Sequence, residues 1–290
     1  MLDELFRKLR VHRKKVFLIV AALVVLDGYL WSGIVFAGND TLKIHFLSVG
    51  QGDSGLVLLP GGATILIDGG PANGRALEEI GAILGPTDRH IDLMVLSHPQ
   101  LDHYGGFIEV ARRYDIGAFL WNGEMSDSAG FQELLRLLRS RNIPTLKLLS
   151  GDSFCFLKSC GDVVWPQKKS LGEDVNERSL VLALRSAGVT ALFTGDLGSA
   201  AERAFLSVFR EDIDILKVGH HGSKYSTSRE FLKMLRPEVA VIEVGKNSYG
   251  HPSAETLARL SEFGARILRS DDILRWSVEA DGSTLRIFSD

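Results

Sequence analysis

Four apolar runs in this 290-residue chain stop abruptly at an acid or an imidazole. Residues 63–67 lead into Asp68-Gly69-Gly70, and residues 91–97 into His98-Pro99-Gln100-Leu101-Asp102-His103. Residues 189–195 lead into Asp196, and residues 213–219 into His220-His221-Gly222-Ser223. Each run reads as a strand, and strands sharing a sheet edge gather such side chains at their carboxyl ends, where open α/β sheets place ligands. Five of the eight histidines (His98, His103, His220, His221 and His251) fall in loops of this kind. Imidazole and carboxylate without thiolate suit a borderline divalent ion such as Zn²⁺ or Mn²⁺. Such an ion lowers the pKa of its water towards ~7, which makes hydroxide available at neutral pH.

The candidate metal ligands are therefore His98, Asp102, His103, Asp196 and one of His220 and His221. Asp102 and Asp196 would also lower the net charge of the site and orient the nucleophile. His251, Lys224 and the backbone of Gly222-Ser223 are candidates to stabilise the oxyanion of an ester under attack, and His251 also to protonate the leaving group. Several of these positions carry a structural reading as well. Asp68 can close a turn with Gly69, His251 can precede a helix, Asp53 and Ser54 can shape a hairpin turn, and Lys224 can be a solvated lysine. His12, His45 and His90 read as structural or surface residues.

Short β-rich runs alternate with amphipathic ones from residue 42 onward. Strands are expected over 42–49, 55–59, 64–67, 91–96, 180–184, 189–193, 213–218, 239–244, 273–278 and 284–288, with two further short strands around Lys158-Ser159. Helices are expected over 75–84, 106–114, 131–139, 200–209, 229–235 and 254–263, where apolar residues recur at three- and four-residue spacing. Pro237 closes one of them and Ser253 caps the last. No Gly/Ser- or Pro-rich linker interrupts residues 41–290, so they read as one α/β domain with a mixed sheet or two sheets and helices outside.

Residues 1–40 differ in kind. Six Lys/Arg precede residue 16, and residues 16–37 are then mostly apolar, long enough to cross a hydrocarbon core. Asp27 opposes insertion by about 2.5–3.5 kcal/mol, while the Val, Leu, Ile and Phe residues of the span contribute about −0.3 to −0.6 kcal/mol each. The expectation is a cytoplasmic basic tail with an uncleaved signal-anchor and the domain outside the cytoplasm. The alternative is a secretory signal cleaved after Val35-Phe36-Ala37. Six of the 33 Lys+Arg and four of the 36 Asp+Glu lie in this segment, which leaves 27 against 32, a net of −5, for the rest. A body of that sign lacks the basic excess of a duplex-gripping protein. The 45% hydrophobic content excludes an intrinsically disordered chain, and two cysteines exclude a disulfide scaffold or a four-thiolate site. Cys155 and Cys160 can face each other across a hairpin as a disulfide, or pack as small core residues.

His98-x-x-x-Asp102-His103 followed by Gly105-Gly106 resembles the metal-binding signature of metallo-β-lactamase-fold hydrolases. Leu47-Ser-Val-Gly-Gln-Gly-Asp53-Ser54, Asp68-Gly-Gly, Asn176-Glu-Arg-Ser179, Thr194-Gly-Asp196, Lys217-Val-Gly-His-His-Gly-Ser223 and His251-Pro-Ser253 resemble, in order, the C-terminal domain of ComEC-type DNA-uptake competence proteins. The resemblance implies a four-layer αβ/βα sandwich, with the metal site along one edge and a metal-bound hydroxide attacking an ester, usually a phosphodiester. It places Asp102, His103, Asp196 and one of His220/His221 at a second metal position, with Asp196 bridging to a first that holds His98, and Asp68 supporting the adjacent loop. Gln100 stands where most relatives carry His or Asp, and no histidine occurs between His103 and His220. One well-held ion and a weak or empty second place are the expectation. Asn176 and Ser179, with Ser223 and Lys224, are the substrate-binding candidates.

The sequence thus points to a membrane-anchored, extracytoplasmic, metal-dependent phosphodiesterase or nuclease, with DNA as the first candidate substrate and the membrane as partner of the N-terminal helix. The alternatives are a cell-wall phosphodiesterase acting on phosphocholine or teichoic-type esters, and a non-catalytic module that keeps the fold.

Overall fold

The computed structural model describes residues 23–27, 40–168, 174–272 and 275–289. Two units are present, Met1–Asp40 and Thr41–Asp290. In the first, residues 23–27 are helical. The rest of the 16–37 span and the Ala37 cleavage position lie outside the described residues. Among the described residues, no helix is long and apolar enough to cross a membrane.

The second unit is built on two sheets. The first contains β1 (Leu42–Phe46), β2 (Gly55–Leu58), β3 (Thr64–Ile67), β4 (His90–Leu96), β5 (Asp115–Trp121), β6 (Thr145–Lys147), β14 (Trp276–Ala280) and β15 (Leu285–Ser289). Its order is β15-β14-β1-β2-β3-β4-β5-β6. The second contains β7 (Ser153–Phe156), β8 (Ser159–Trp165), β9 (Val181–Ser186), β10 (Val189–Phe193), β11 (Ile215–Lys217), β12 (Val239–Ile242) and β13 (Arg266–Arg269), in the order β13-β12-β11-β10-β9-β8-β7. Each sheet has an antiparallel hairpin half and a parallel half: β3 to β6 run parallel in one, β10 to β13 in the other.

The inner faces meet in one core, where Ile44, Val57, Ile65 and Val95 of the first sheet pack with Leu182, Leu184, Ala191 and Val241 of the second. Helices cover both outer faces. On the first lie α1 (Arg75–Leu84), α3 (Phe107–Arg113) and α4 (Ala129–Ser140), contributing Ile80, Phe107, Phe131 and Leu134. On the second lie α5 (Ser199–Phe205), α6 (Arg229–Leu235) and α7 (Ala254–Glu262), contributing Phe205, Phe231, Leu235 and Leu260. This is the four-layer sandwich. The central strands are buried on both faces because each sheet has a helix layer and a partner sheet, so β3 and β12 are buried at every position rather than alternating. Ser128, Ser228 and Ser253 each accept one of the free first-turn backbone N–H groups of α4, α6 and α7, from Phe131, Phe231 and Thr256.

β3, β10, α1 and α6 coincide with the expected ranges. β5, β6, β13 and a one-turn helix α2 (Leu101–Tyr104) do not appear in the sequence pattern. β5 begins Asp-Ile-Gly-Ala, poor in β-formers, because Gly117 lies against the Asp92 carbonyl where any side chain would collide. Cys155 and Cys160 are directly opposed in the β7–β8 ladder and form a disulfide.

Candidate metal centre

The four strands that end in acid or imidazole do not share one sheet edge. β3 and β4 deliver Asp68, His98, Asp102 and His103 from the first sheet, and β10 and β11 deliver Asp196, His220 and His221 from the second. The two parallel halves lie so that their carboxyl ends converge from opposite sides. The loop joining β1 to β2 closes the floor, and Gly52 permits this because a Cβ there would strike the Asp102 carbonyl.

His98 and His103 are fully buried, with ring centroids 4.1 Å apart. His103 Nε2 lies 3.4 Å from Asp196 Oδ1, and His98 Nε2 lies 3.9 Å from Asp196 Oδ2. His221 Nε2 lies 3.4 Å from Asp102 Oδ2 and 3.7 Å from Asp196 Oδ2. His98, His103 and Asp196 thus form one group with metal-ligand spacing, and Asp102, His103 and His221 a second that shares His103. Both His220 and His221 adopt left-handed backbone (φ 49° and 51°), a conformation that costs about 1–3 kcal/mol per non-glycine residue and persists only where the surroundings impose it. The turn sends His221 into the buried cluster. His220 stays at the rim, its side chain 34% exposed and its Nε2 3.8 Å from Asp196 Oδ2.

The far nitrogens are already committed. Asp68 accepts hydrogen bonds from the Ser97 backbone N–H at 2.8 Å and the Ser97 hydroxyl at 2.7 Å, and its Oδ2 sits 2.9 Å from His103 Nδ1. His221 Nδ1 donates to the Glu243 carbonyl at 2.9 Å. Ser97 Oγ lies 3.0 Å from His98 Nδ1. A carboxylate or carbonyl on Nδ1 fixes a ring so that Nε2 carries the lone pair toward a metal. The Nε2 atoms of His98, His103 and His221 and the Oδ1 of Asp196 are buried without a hydrogen-bond partner. Buried polar atoms are ordinarily satisfied, so four of them aimed at a common region fit a bound cation. Asp68 orients His103 rather than merely closing a turn. Asp68→Asn is therefore expected to weaken metal binding by about 10–100-fold. Competition with a chromophoric chelator measures this, and an unchanged affinity would return Asp68 to a turn residue.

The charges agree. Burial pushes the Asp196 carboxyl up, but His103 and His221 outweigh it and hold it well below the usual range. Burial likewise raises Asp102, yet the neighbouring imidazoles of His221 and His103 bring it to about 2. Burial lowers the imidazole of His221, but Asp196 and Asp53 lift it to about 10, and His103 is raised for the same reasons by Asp196, Asp53 and Asp68. His98, where burial and the charge of His103 dominate, is lowered to about 4. Protons on His103 and His221 balance the acids here, and a divalent cation replaces them with release of protons.

An open cleft of about 440 Å³ leads to this cluster, lined by Gln100, Asp102, Asn176, Asp196, His220, His221 and His251 among others. Asn176 Oδ1 accepts from Gln100 Nε2 at 2.7 Å. The structure places Ser179 below the cleft, where its hydroxyl accepts from the Asp196 backbone N–H at 3.1 Å. Ser223 is buried in the turn after His221, and Lys224 lies over the Tyr225 ring in a separate depression with Arg203 and Arg259. Neither joins the cleft lining. His251 does, its Nδ1 buried without a partner, and burial with the charges of His220 and His221 lowers its pKa.

Sequence reasoning missed a buried charged layer beneath the ligands. Lys217 Nζ pairs with Asp53 Oδ2, and Asp53 Oδ1 lies 3.1 Å from His221 Nδ1 while Oδ2 lies 3.6 Å from His103 Nδ1. Glu243 accepts the Ser54 backbone N–H at 2.9 Å, and burial raises its pKa to about 8. The available signal was a lysine and a glutamate inside apolar strand runs, Ile-Leu-Lys217-Val and Val-Ile-Glu243-Val, positions that demand partners.

A sandwich of this topology with His/Asp ligands at the strand ends defines a metal-dependent class. The sequence profile of the Metallo-beta-lactamase superfamily matches residues 47–140 and 170–245, and the chain belongs to that superfamily. It is 28% identical over 247 residues to ComE operon protein 3 of Bacillus subtilis (strain 168), covering 79% of this chain and 32% of that protein. It is 29% identical over 253 residues to Competence protein ComA of Neisseria gonorrhoeae, covering 86% of this chain and 34% of that protein. The chain thus spans about a third of the length of these curated relatives. Among solved structures, a metallo hydrolase from Ignicoccus hospitalis superposes with a TM-score of 0.53 at 19% identity, over 86% of this chain and 98% of that one. The ComEC-type resemblance read from the motifs holds, and the superfamily implies a divalent metal that these His/Asp groups fit.

Proposed function

We propose that residues 41–290 form a metal-dependent phosphodiesterase, acting as a nuclease with DNA as its first candidate substrate. The observation that carries this reading is the set of partnerless, buried Nε2 atoms of His98, His103 and His221 with Asp196 Oδ1, at the foot of an open cleft. The similarity to a relative named as a competence protein, with the motifs shared with DNA-uptake proteins, supports the choice of DNA. His98, Asp102, His103, Asp196 and His221 would hold the ion, which when bound supplies Lewis acidity and a water of lowered pKa. Asp102 and Asp196 orient the attacking water from within the cluster. Asp68 and Asp53 keep the His103 and His221 rings fixed during the reaction. His251 offers a cleft-lining ring nitrogen for the proton that the leaving oxygen requires. Zn²⁺ and Mn²⁺ both suit this donor set.

The test is cleavage of DNA, RNA, a phosphocholine ester and an activated model diester side by side, with Mn²⁺ or Zn²⁺ and with chelator. Metal-dependent cleavage of the nucleic acid is expected. Cleavage of the phosphocholine ester alone would favour the cell-wall reading. No cleavage, with less than about a tenth of an equivalent of bound metal, would leave a non-catalytic module.

The same reading includes residues 16–37 as a single-pass anchor with the domain outside the cytoplasm. The basic residues before the apolar run support it, and so does the Cys155–Cys160 disulfide, since such bonds persist in oxidising compartments. Mass spectrometry of membrane-extracted protein should find residues before Ala37. A mature chain starting at Gly38 would mean cleavage and secretion.

A further inference from the structure

Resting on the phosphodiesterase reading, we infer that the cleft carries a nucleobase subsite in which Tyr249 is the stacking platform, so that the group esterified to the phosphate is a nucleoside. Tyr249 lines the cleft, yet 74% of its surface is open to solvent. Its ring lies 5.8 Å from that of His251 and is tilted by 34°, so the two rings are neighbours in the cleft wall. Asn247 holds the loop: its Oδ1 accepts from the backbone N–H of Tyr249 at 3.0 Å and of His251 at 3.1 Å, and its Nδ2 donates to the Gly245 and His251 carbonyls at 2.8 Å. The platform is thus positioned before any ligand arrives, although it makes little packing contribution to the fold.

The rest of the cleft narrows the ligand. Neither lysine nor arginine is among the described residues that line it, so a substrate gains nothing there from further phosphates. Pro71 and Leu101 add apolar surface, and Leu101 is itself exposed. Three amides, Gln51, Gln100 and Asn176, complete the wall. Two of them spend one atom on the protein, with Gln51 Oε1 accepting from the Gly245 backbone N–H at 3.3 Å and Gln100 Nε2 donating to Asn176, which leaves the amide NH₂ of Gln51 for a ligand. A flat, uncharged ring with polar edges matches apolar faces and amide rims, and base–aromatic stacking tolerates any base. A quaternary ammonium headgroup would instead call for several aromatics around one point.

The test compares thymidine p-nitrophenyl phosphate with methyl p-nitrophenyl phosphate, which lacks the base, on the metal-loaded protein. Wild type is expected to prefer the nucleoside diester in kcat/KM, chiefly through KM. Tyr249→Ala is expected to reduce that preference about tenfold, and Tyr249→Trp to retain it. Calorimetric titration of thymidine monophosphate against methyl phosphate gives a second readout that needs no turnover. Cleavage of both diesters without preference, or the same preference in Tyr249→Ala, overturns the subsite and leaves the hydrolase reading standing. Base-dependent binding lost in Tyr249→Ala, without cleavage of either diester, retains the subsite and removes the hydrolase.

Discussion

Asp196→Asn is expected to lower kcat/KM on any diester the protein cleaves by about 10³ or more, while the protein stays folded. Among the described residues, Asp196 is the one acid within ion-pair distance of all four of His98, His103, His220 and His221. A bound cation contributes several kcal/mol of charge stabilisation to such a reaction, and each 1.36 kcal/mol lost is roughly tenfold in rate. An amide keeps the shape and the backbone hydrogen bond from Asp196 N–H to Ser179, but removes the charge that draws a cation between the imidazoles. Circular dichroism should therefore be native while elemental analysis shows reduced metal. Full activity in this variant would remove Asp196 from the mechanism. A collapsed fold would be met by repeating the measurement with Asp102→Asn, whose side chain is partly exposed.

Lys217→Met is expected to be strongly destabilising. Lys217 is 2% exposed and its ammonium pairs with Asp53, 164 residues away in sequence, while also donating to the Gly195 carbonyl at 3.2 Å. Removing one partner of a buried pair leaves an uncompensated charge, at a cost of about 3–5 kcal/mol. For a domain of this size that corresponds to a fall in Tm of roughly 10 °C. The variant also leaves Asp53 beside Asp68, Asp196 and Glu243 with less positive charge nearby. Adding Asp53→Asn to Lys217→Met should recover part of the loss, because the residual charge is then gone. Thermal denaturation of the two single variants and the double variant measures this. A Tm for Lys217→Met within about 2 °C of wild type would show that the pair is dispensable.

Much of the architecture was written locally. Ser253 two residues after His251, the apolar spacing of α4 and the unbroken Thr-Ile-Leu-Ile of β3 each act within one or two turns of chain, so they are visible without the fold. β5 and β13 were not. Asp-Ile-Gly-Ala and Arg-Ile-Leu-Arg are strands because β4 and β12 offer them edges to pair with. The candidate ligands His98, Asp102, His103 and Asp196 stood out because a metal needs particular side chains, and strand ends flanked by glycine are where a chain can present them. The choice between His220 and His221 was not legible. Adjacent residues of one type differ only in where a left-handed turn points them.

Most of the strands and helices, and the gathering of His and Asp at strand ends, follow from residue identity and spacing, since propensity, periodicity and metal preference are properties of short segments. That the candidate ligands come from two opposed sheets depends on non-local contacts, because both parallel halves must pack face to face before their carboxyl ends meet. The same holds for the Asp53–Lys217 pair beneath them and for Tyr249 at the cleft mouth. Burial and charge compensation act through space, and they exist only once distant segments have come together.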